Sequence, residues 1–156
     1  MGRLIFERLT APVIRAMTAD DAPAAADLCD QLGYPVEPAR LAKRFGDVID
    51  QGHASILVAE VAGRVVGWIH VAVTPLLELD LGAEILGLVV DRDHRSAGVG
   101  AALLAEGERW ARAAGCTAVR VRSRIARERA HAFYERSGYT RVKTQHAFEK
   151  SLGLTD

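Results

Sequence analysis

The sequence has few cysteines and no long apolar stretch, and so lacks the features that mark secreted and membrane proteins. Its 156 residues include only two cysteines, Cys29 and Cys116, too few for the disulfide framework of a small secreted domain, so we expect free thiols in a reducing compartment. No stretch approaches the roughly 18 consecutive apolar residues of a membrane-spanning helix, and the N-terminus lacks the apolar core of a signal peptide. The sequence therefore predicts a cytoplasmic protein without a membrane segment.

The sequence also has no net charge, because 20 Lys and Arg residues balance 20 Asp and Glu residues. A dedicated nucleic-acid binder usually carries a basic excess, so we expect no nucleic-acid partner. The charge is uneven, however: residues 92–129 hold nine arginines and four acids, a net +5 that leaves −5 for the rest. This basic segment suits a compact polyanionic ligand, although a solvated helix face would carry the same charge.

Length and composition leave no room for a second domain or for a disordered chain. A chain of 156 residues makes one ordinary domain, and 49% hydrophobic with 26% charged residues is the balance of a globular protein. We therefore expect a single domain over residues 1–156. The five histidines and two cysteines show no ligand spacing, so we expect no metal site.

Apolar periodicity and turn residues predict mixed α and β elements. The predicted strands are residues 12–17, 55–61, 64–73, 83–91, 116–121, 139–142 and 145–150. The predicted helices are residues 18–32, a second beginning at Pro38, 98–114 and 126–137. Residues 75–82 are expected to be a loop of leucines and acids beside a substrate site or, alternatively, an extension of the preceding hairpin or a dimer edge. With a parallel crossover across residues 83–121, the pattern predicts an α+β three-layer sandwich, a mixed central sheet with helices on both faces.

The most informative segment is Arg95-Ser96-Ala97-Gly98-Val99-Gly100, between a buried strand and a helix. The first turn of a helix offers unpaired N–H groups to an anion, and glycines let the backbone approach a phosphate. A Walker loop is excluded because Ala101 and Ala102 follow Gly100. A dinucleotide fingerprint does not fit, because Leu103 stands where a third glycine or an alanine is required, and Arg122 and Arg124 stand where an acid is expected after the next strand. The R-x-x-G-x-G pattern of coenzyme A binding fits at every position.

At this point the sequence resembles the GCN5-related N-acetyltransferase (GNAT) family over roughly residues 12–150. Two segments carry the resemblance: Ile85–Gly100, a strand followed by the glycine loop, and Ala130–Tyr139, a helix with a tyrosine followed by a turn and an aromatic residue. The resemblance implies the GNAT, or acyl-CoA N-acyltransferase, fold and acetyl-CoA as cosubstrate. It also implies the cofactor-binding residues Leu88, Val89, Val90, Arg95, Ser96, Ala97, Gly98, Val99, Gly100 and Arg127.

The resemblance further implies how these residues act. Backbone groups of Leu88 and Val90 are expected to pair with the pantetheine arm as an added strand, and the Leu88 amide to polarise the thioester carbonyl. Gly87 is expected to mark a bulge that splays this strand from the next. Arg127 stands where the family often has an asparagine that touches the cofactor. An arginine there, with Arg122, Arg124 or Arg129, is expected to reach the phosphates instead.

Two residues are the expected catalytic groups. Tyr134 is expected to protonate the departing thiolate, since a phenol stays protonated near neutral pH, although an aromatic residue in this stripe would otherwise be core. Glu84, near the start of the cofactor strand, is the candidate base, and an exposed strand-end acid is the equal alternative. His131, one helical turn before Tyr134, is a weaker candidate base.

The sequence thus predicts an N-acetyltransferase in which a small-molecule primary amine attacks acetyl-CoA directly in a ternary complex. Neither cysteine lies in the motifs, which disfavours an acetyl-enzyme. The −5 balance outside residues 92–129 favours a cationic acceptor. The alternatives are a protein N-terminal or lysine acetyltransferase, a catalytically inactive CoA-binding sensor or assembly module, and an acetyltransferase toxin acting on charged tRNA. A homodimer is also expected to be possible.

Overall fold

A computed structural model describes residues 11–154 of the protein. The chain divides into two compact units, Met1–Arg122 and Ser123–Asp156. The first unit holds a mixed sheet with helices, and the second holds one helix. The expectation of a single domain over residues 1–156 remains a prediction.

The first unit is built on a five-stranded sheet with the order β1-β2-β3-β4-β5. The strands are β1 (Val13–Ala16), β2 (Ala54–Val61), β3 (Arg64–Leu76), β4 (Leu79–Val90) and β5 (Ala118–Val121). The first four strands pair antiparallel, and β5 pairs parallel to β4. The predicted mixed sheet and its parallel crossover are confirmed.

Four α-helices accompany the sheet along the described chain. They are α1 (Ala22–Leu32), α2 (Pro38–Asp50), α3 (Val99–Ala113) and, in the second unit, α4 (Glu128–Arg136). Gly33 ends α1 in the left-handed conformation at φ +96°, which glycine adopts without steric cost. Pro38 opens α2, where its missing N–H is not needed. Between residues 11 and 154, none of the helices combines the length and the apolarity needed to cross a membrane.

Helices cover both faces of the sheet in the first unit. On one face, Ala25 of α1 packs with Met17 and Val58, and side chains of α2 add to this cluster. On the other face, Ala111 of α3 packs with Val71 and Ala83. Burial of these apolar side chains stabilises the three layers, and the predicted three-layer sandwich is confirmed.

The hairpin between β3 and β4 is longer than the sequence predicts. The strands continue to Leu76 and restart at Leu79, so the loop expected at residues 75–82 is wrong, and the alternative of an extended hairpin is correct. Pro75 does not end β3, because the pairing register shifts between Thr74 and Leu76. A proline lacks a ladder donor and is tolerated at such an irregularity.

The second unit consists of α4 and chain without further helix or strand in residues 137–154. The strands predicted at residues 139–142 and 145–150 are therefore wrong. The large apolar side chains in these segments are exposed: Val142 by 84% and Phe148 by 94%. A strand requires a neighbouring ladder as well as apolar residues, and these residues have no ladder partner among the described strands.

Candidate active site

The two halves of β4 differ in their pairing. From Gly82 to Ile85, β4 lies between β3 and β5, whereas from Gly87 to Val90 it pairs only with β3. The register shifts where His70 faces Gly87 and Val71 faces Ile85, so Leu86 is the extra residue of a β-bulge. The predicted opening beside the cofactor strand is present, with the bulge one residue before Gly87. No described strand pairs with the β5 side of β4 at residues 86–90, and this edge can accept an extended ligand.

Gly87 is required at this position by its neighbour on β3. A Cβ atom built on Gly87 would lie 2.6 Å from Cζ3 of Trp68, closer than packed carbon atoms approach each other. The indole ring therefore lies against the bare backbone of the strand just after the bulge. The sequence predicts the glycine but gives no sign of the tryptophan that demands it.

The turn that follows β4 leads into the first amides of α3. Ser96 has φ +64° and Gly98 has φ +84°, both in the left-handed region, and Gly98 is the N-cap of α3. The first intrahelical bond is donated by the amide of Ala102 to the carbonyl of Gly98. The amides of Val99, Gly100 and Ala101 thus have no acceptor within the helix, which is the arrangement that binds phosphate groups.

Arg95 lies close to the end of the open strand. Its Nε donates a hydrogen bond to the carbonyl oxygen of Val90 at 3.2 Å. This bond fixes the first part of an exposed side chain and leaves the two terminal nitrogens of the guanidinium for a further partner. The expected cofactor-binding residues Leu88, Val89, Val90, Arg95, Ser96, Ala97, Gly98, Val99 and Gly100 therefore form one continuous cradle, which we call the β4–α3 cradle.

A glutamine from α1 holds the start of this turn. Gln31 donates from Nε2 to Oδ1 of Asp91 at 3.3 Å and accepts from the amide of Arg92 at 3.0 Å. Burial alone raises the pKa of the Asp91 carboxyl. Hydrogen bonds from the Asp93 amide and Gln31, and the nearby His94, outweigh burial and hold this pKa below its ordinary value. Gln31 is 60 positions away in the chain, and the sequence contains no signal for this contact.

Glu84, the candidate base, forms an ion pair. Because Ala83 packs in the core beside α3, the next side chain along the strand points to the opposite face. Its Oε1 accepts a hydrogen bond from Nε of Arg122 at 2.6 Å, with the Glu84 side chain 17% exposed and that of Arg122 77% exposed. Arg122, one of three arginines expected to reach the cofactor phosphates together with Arg127, is paired with Glu84 in the structure.

Two arginines of the basic segment at residues 92–129 are paired with acids. Arg109 pairs with Glu106 along α3 at 2.8 Å, and Arg122 pairs with Glu84. The net +5 already counts Glu106, but Glu84 lies outside the segment. The pair between Arg122 and Glu84 therefore takes one further charge from the field around the β4–α3 cradle.

Tyr134 lies on α4 in the second unit. Its ring packs edge-on against Phe133, with centroids 5.2 Å apart, and against Tyr139 at 5.6 Å. Burial raises the pKa of the Tyr134 phenol, and the positive charge of Arg127 opposes the rise. The phenol is therefore protonated at neutral pH and is available as a proton donor.

His131 and Arg127 are also on or next to α4. The ring nitrogen Nε2 of His131 lies 2.9 Å from the carbonyl oxygen of Arg124, and because a carbonyl oxygen only accepts, Nε2 is the donor in this contact. His131 borders a groove of about 410 Å³, lined by Ile125, Glu128, His131, Ala132, Glu135 and Arg141.

The described residues contain no cluster of three His, Cys, Asp or Glu side chains that could hold a metal ion.

The chain is similar to known proteins in sequence and in fold. The model of the Acetyltransferase (GNAT) family matches residues 21–139, while a search of curated proteins found no match. Solved structures share the fold, among them the following three. A transcriptional regulator from Bacillus halodurans C-125 is 22% identical, with a TM-score of 0.81, and the match covers 90% of this chain and 100% of that one.

The second, glucosamine-6-phosphate N-acetyltransferase from Arabidopsis thaliana, is 19% identical with a TM-score of 0.79, over 91% of this chain and 100% of that one. The third, AAC(6')-Iy in complex with the bisubstrate analogue CoA-S-monomethyl-acetylneamine, is 20% identical with a TM-score of 0.78, over 91% of this chain and 99% of that one. These likenesses agree with the family model, which covers most of the chain. The protein belongs to the GNAT family of N-acetyltransferases.

Proposed function

We propose that this protein transfers an acetyl group from acetyl-CoA to the primary amine of a small molecule. The observation that carries the proposal is the β4–α3 cradle, where an open strand edge leads directly to helix amides that lack acceptors within the helix. The solved relatives support a small acceptor: one is named for acetylation of glucosamine 6-phosphate, and another is complexed with an analogue that joins CoA to an acetylated amine.

In this proposal the cradle binds the cosubstrate chiefly through its backbone. Leu88 and Val90 pair with the pantetheine arm as an added strand, with Val89 between them, and the amides of residues 95–100 receive the pyrophosphate. The terminal nitrogens of Arg95 add charge-assisted hydrogen bonds at the entrance. Arg127 contributes a further cation from the start of α4 to the phosphate groups.

The chemistry requires proton transfers at the attacking nitrogen and at the departing sulfur. The Leu88 amide donates a hydrogen bond to the thioester oxygen, where negative charge develops as the amine nitrogen attacks. Glu84 accepts the first proton, which the ammonium group must lose before its nitrogen can form the C–N bond, and later releases it to water. As the C–S bond breaks, the Tyr134 hydroxyl gives its proton to the thiolate sulfur, and the nitrogen loses its second proton to the phenolate, which restores the phenol. No covalent bond to the protein forms in this sequence.

Purified protein with acetyl-CoA and a panel of amines tests the proposal. The panel contains amino sugars, a polyamine, a peptide with a free N-terminus and a peptide whose one amine is lysine. Free thiol release and the mass of the acetylated product are both measured. We expect product from a small amine and none from the peptides. Peptide acetylation would overturn the acceptor class, and a protein that binds CoA but acetylates no amine would overturn the activity.

The proposal places the enzyme in the cytoplasm and allows a homodimer. Both cysteines are free thiols in the structure, in keeping with a reducing compartment. Sedimentation of the purified chain at several concentrations measures its oligomeric state, and a monomer at all of them would remove the homodimer from the proposal.

A further inference from the structure

The ion pair between Glu84 and Arg122 joins two side chains in very different surroundings. The Glu84 side chain is 17% exposed, whereas that of Arg122 is 77% exposed. A carboxylate that is mostly shielded from water requires a compensating cation or hydrogen bonds. An exposed arginine supplies one at small net gain, because its own hydration and side-chain entropy oppose the contact. Breaking the ion pair without a replacement would therefore cost more free energy at the Glu84 carboxylate than at the Arg122 guanidinium.

A second arginine lies along the same part of β4. Arg120 lies beside Glu84 in the parallel register of β4 and β5. Its guanidinium contacts the position where a Cβ of Gly82 would be, and its Nη1 is buried without a hydrogen-bond partner among residues 11–154. The arginine bound to the Glu84 carboxylate is therefore Arg122, on Oε1. An ammonium group that binds Oε1 has to replace Arg122.

We propose that Arg122 occupies, in the free enzyme, the position beside Glu84 that the ammonium group of the acceptor takes, and that acceptor binding displaces it. This inference rests on the proposed function, because it takes Glu84 as the group that meets the acceptor amine. It identifies the acceptor as a cation that competes with an internal guanidinium. Arg122 thereby sets the affinity for the acceptor, and Arg120, which is held more deeply, stays in place.

Steady-state kinetics of Arg122→Gln tests the competition with the amine that gives the highest turnover. Removing a competitor held by an exposed ion pair is expected to lower KM for the amine about two- to fivefold. The kcat and the KM for acetyl-CoA stay unchanged. The matched control is Arg109→Gln, which removes an arginine of similar exposure from its pair with Glu106 and should alter none of these constants. A lower kcat with unchanged KM would mean that Arg122 orients the base, and an unchanged or higher KM would also overturn the inference.

Nuclear magnetic resonance of arginine Nε–H groups tests displacement without requiring turnover. The Arg122 signal is assigned by its absence in Arg122→Gln, and Glu84→Gln supplies its position when the pair is broken. Titration of CoA-bound protein with n-butylammonium and spermidine should move the signal to the position seen in Glu84→Gln. A signal that stays in place up to saturation with both amines would contradict the inference. If the Arg122 signal moves but no amine is acetylated, the displacement of Arg122 is supported and the proposed function is refuted. If an amine is acetylated but the signal does not move, the proposed function is supported and the displacement is refuted.

Discussion

The two compact units differ in what they contribute to the proposed reaction. In the first unit, the β4–α3 cradle is formed by backbone groups that are fixed by the sheet, by a bulge and by Gly98 at φ +84°. In the second unit, Tyr134 contributes a side chain on a nine-residue helix, packed between two aromatic rings. One region offers hydrogen-bond donors at fixed positions, and the other offers a protonated phenol.

This difference separates binding from chemistry. Backbone amides at a helix N-terminus bind an anion whether or not a reaction follows, whereas a proton donor acts only when the leaving group departs. Substitutions that move the helix amides of the β4–α3 cradle should therefore change the affinity for CoA, and removal of the Tyr134 hydroxyl should change kcat. Single substitutions in each region can show whether binding of CoA and proton transfer depend on different residues.

The largest effect is expected from Tyr134→Phe in the second unit. The substitution removes the proton donor and keeps the ring that packs against Phe133 and Tyr139. Loss of a general acid lowers kcat on the order of 10²-fold. The dissociation constant of CoA, measured by calorimetry, should stay within about twofold, which corresponds to about 0.4 kcal/mol, because the hydroxyl acts only as the leaving group departs. Phe133→Leu is the control for ring packing, and an equal loss of kcat there would assign Tyr134 a structural role.

The pH dependence of kcat should show the same group. Because burial raises the pKa of Tyr134, the phenol keeps its proton to higher pH than an ordinary tyrosine, whose pKa is about 10. The decline of kcat in alkaline solution should therefore lie above about pH 10 and be absent in Tyr134→Phe. A decline that persists unchanged in the variant would show that another group carries it.

An intermediate effect is expected from Gly98→Ala in the first unit. An alanine at φ +84° is strained by about 1–2 kcal/mol, and relief of the strain would move the first amides of α3. We expect the affinity for CoA to fall about tenfold, with kcat at saturating acetyl-CoA unchanged.

The matched control is Gly33→Ala at the end of α1. Gly33 has φ +96°, and, as at Gly98, an added Cβ meets no atom within 4 Å. Both variants should lower the melting temperature by similar amounts, but Gly33→Ala should bind CoA like the natural protein. Equal losses of affinity in the two variants would attribute the effect to general destabilisation instead of the cradle.

The smallest effect is expected from Gln31→Ala. This variant loses the two hydrogen bonds that hold Asp91 and the amide of Arg92, and the turn before α3 becomes less well fixed. One of these bonds goes to a carboxylate and the other comes from a backbone amide. Each contributes about 1–2 kcal/mol and is partly replaced by water in the variant, so we expect a loss of CoA affinity of about three- to fivefold. Gln51→Ala, at the end of α2, is the control, and an equal loss there would rule out the proposed support of the turn by Gln31.

Much of the first unit could be predicted from the sequence because its signals are local. The positive φ of Gly33 and Gly98, the proline at the start of α2, and the turn at Ala62 and Gly63 between β2 and β3 all follow from single residues or pairs. The glycines of the cradle are of this kind. A site built from backbone groups can be predicted from the sequence, because few residue types other than glycine adopt the backbone conformations that it requires.

What could not be predicted depends on partners distant in the chain. Gln31 reaches Asp91, and Arg122 reaches Glu84, through side chains whose residue types carry no hint of the contact. The prediction of strands at residues 139–142 and 145–150 is wrong for a related reason, because a strand depends on a neighbouring strand that the segment itself does not specify. The sequence therefore predicts Glu84 as a candidate base but not the arginine bound to it.

Hydrogen exchange of backbone amides with and without saturating CoA tests the central claim most directly. The claim is that the open half of β4 and the start of α3 bind the cosubstrate, whereas the half of β4 already paired on both sides does not. We predict slower exchange in peptides covering residues 86–101 and no change in those covering residues 79–85. Unchanged exchange at residues 86–101 while CoA is bound would contradict the account.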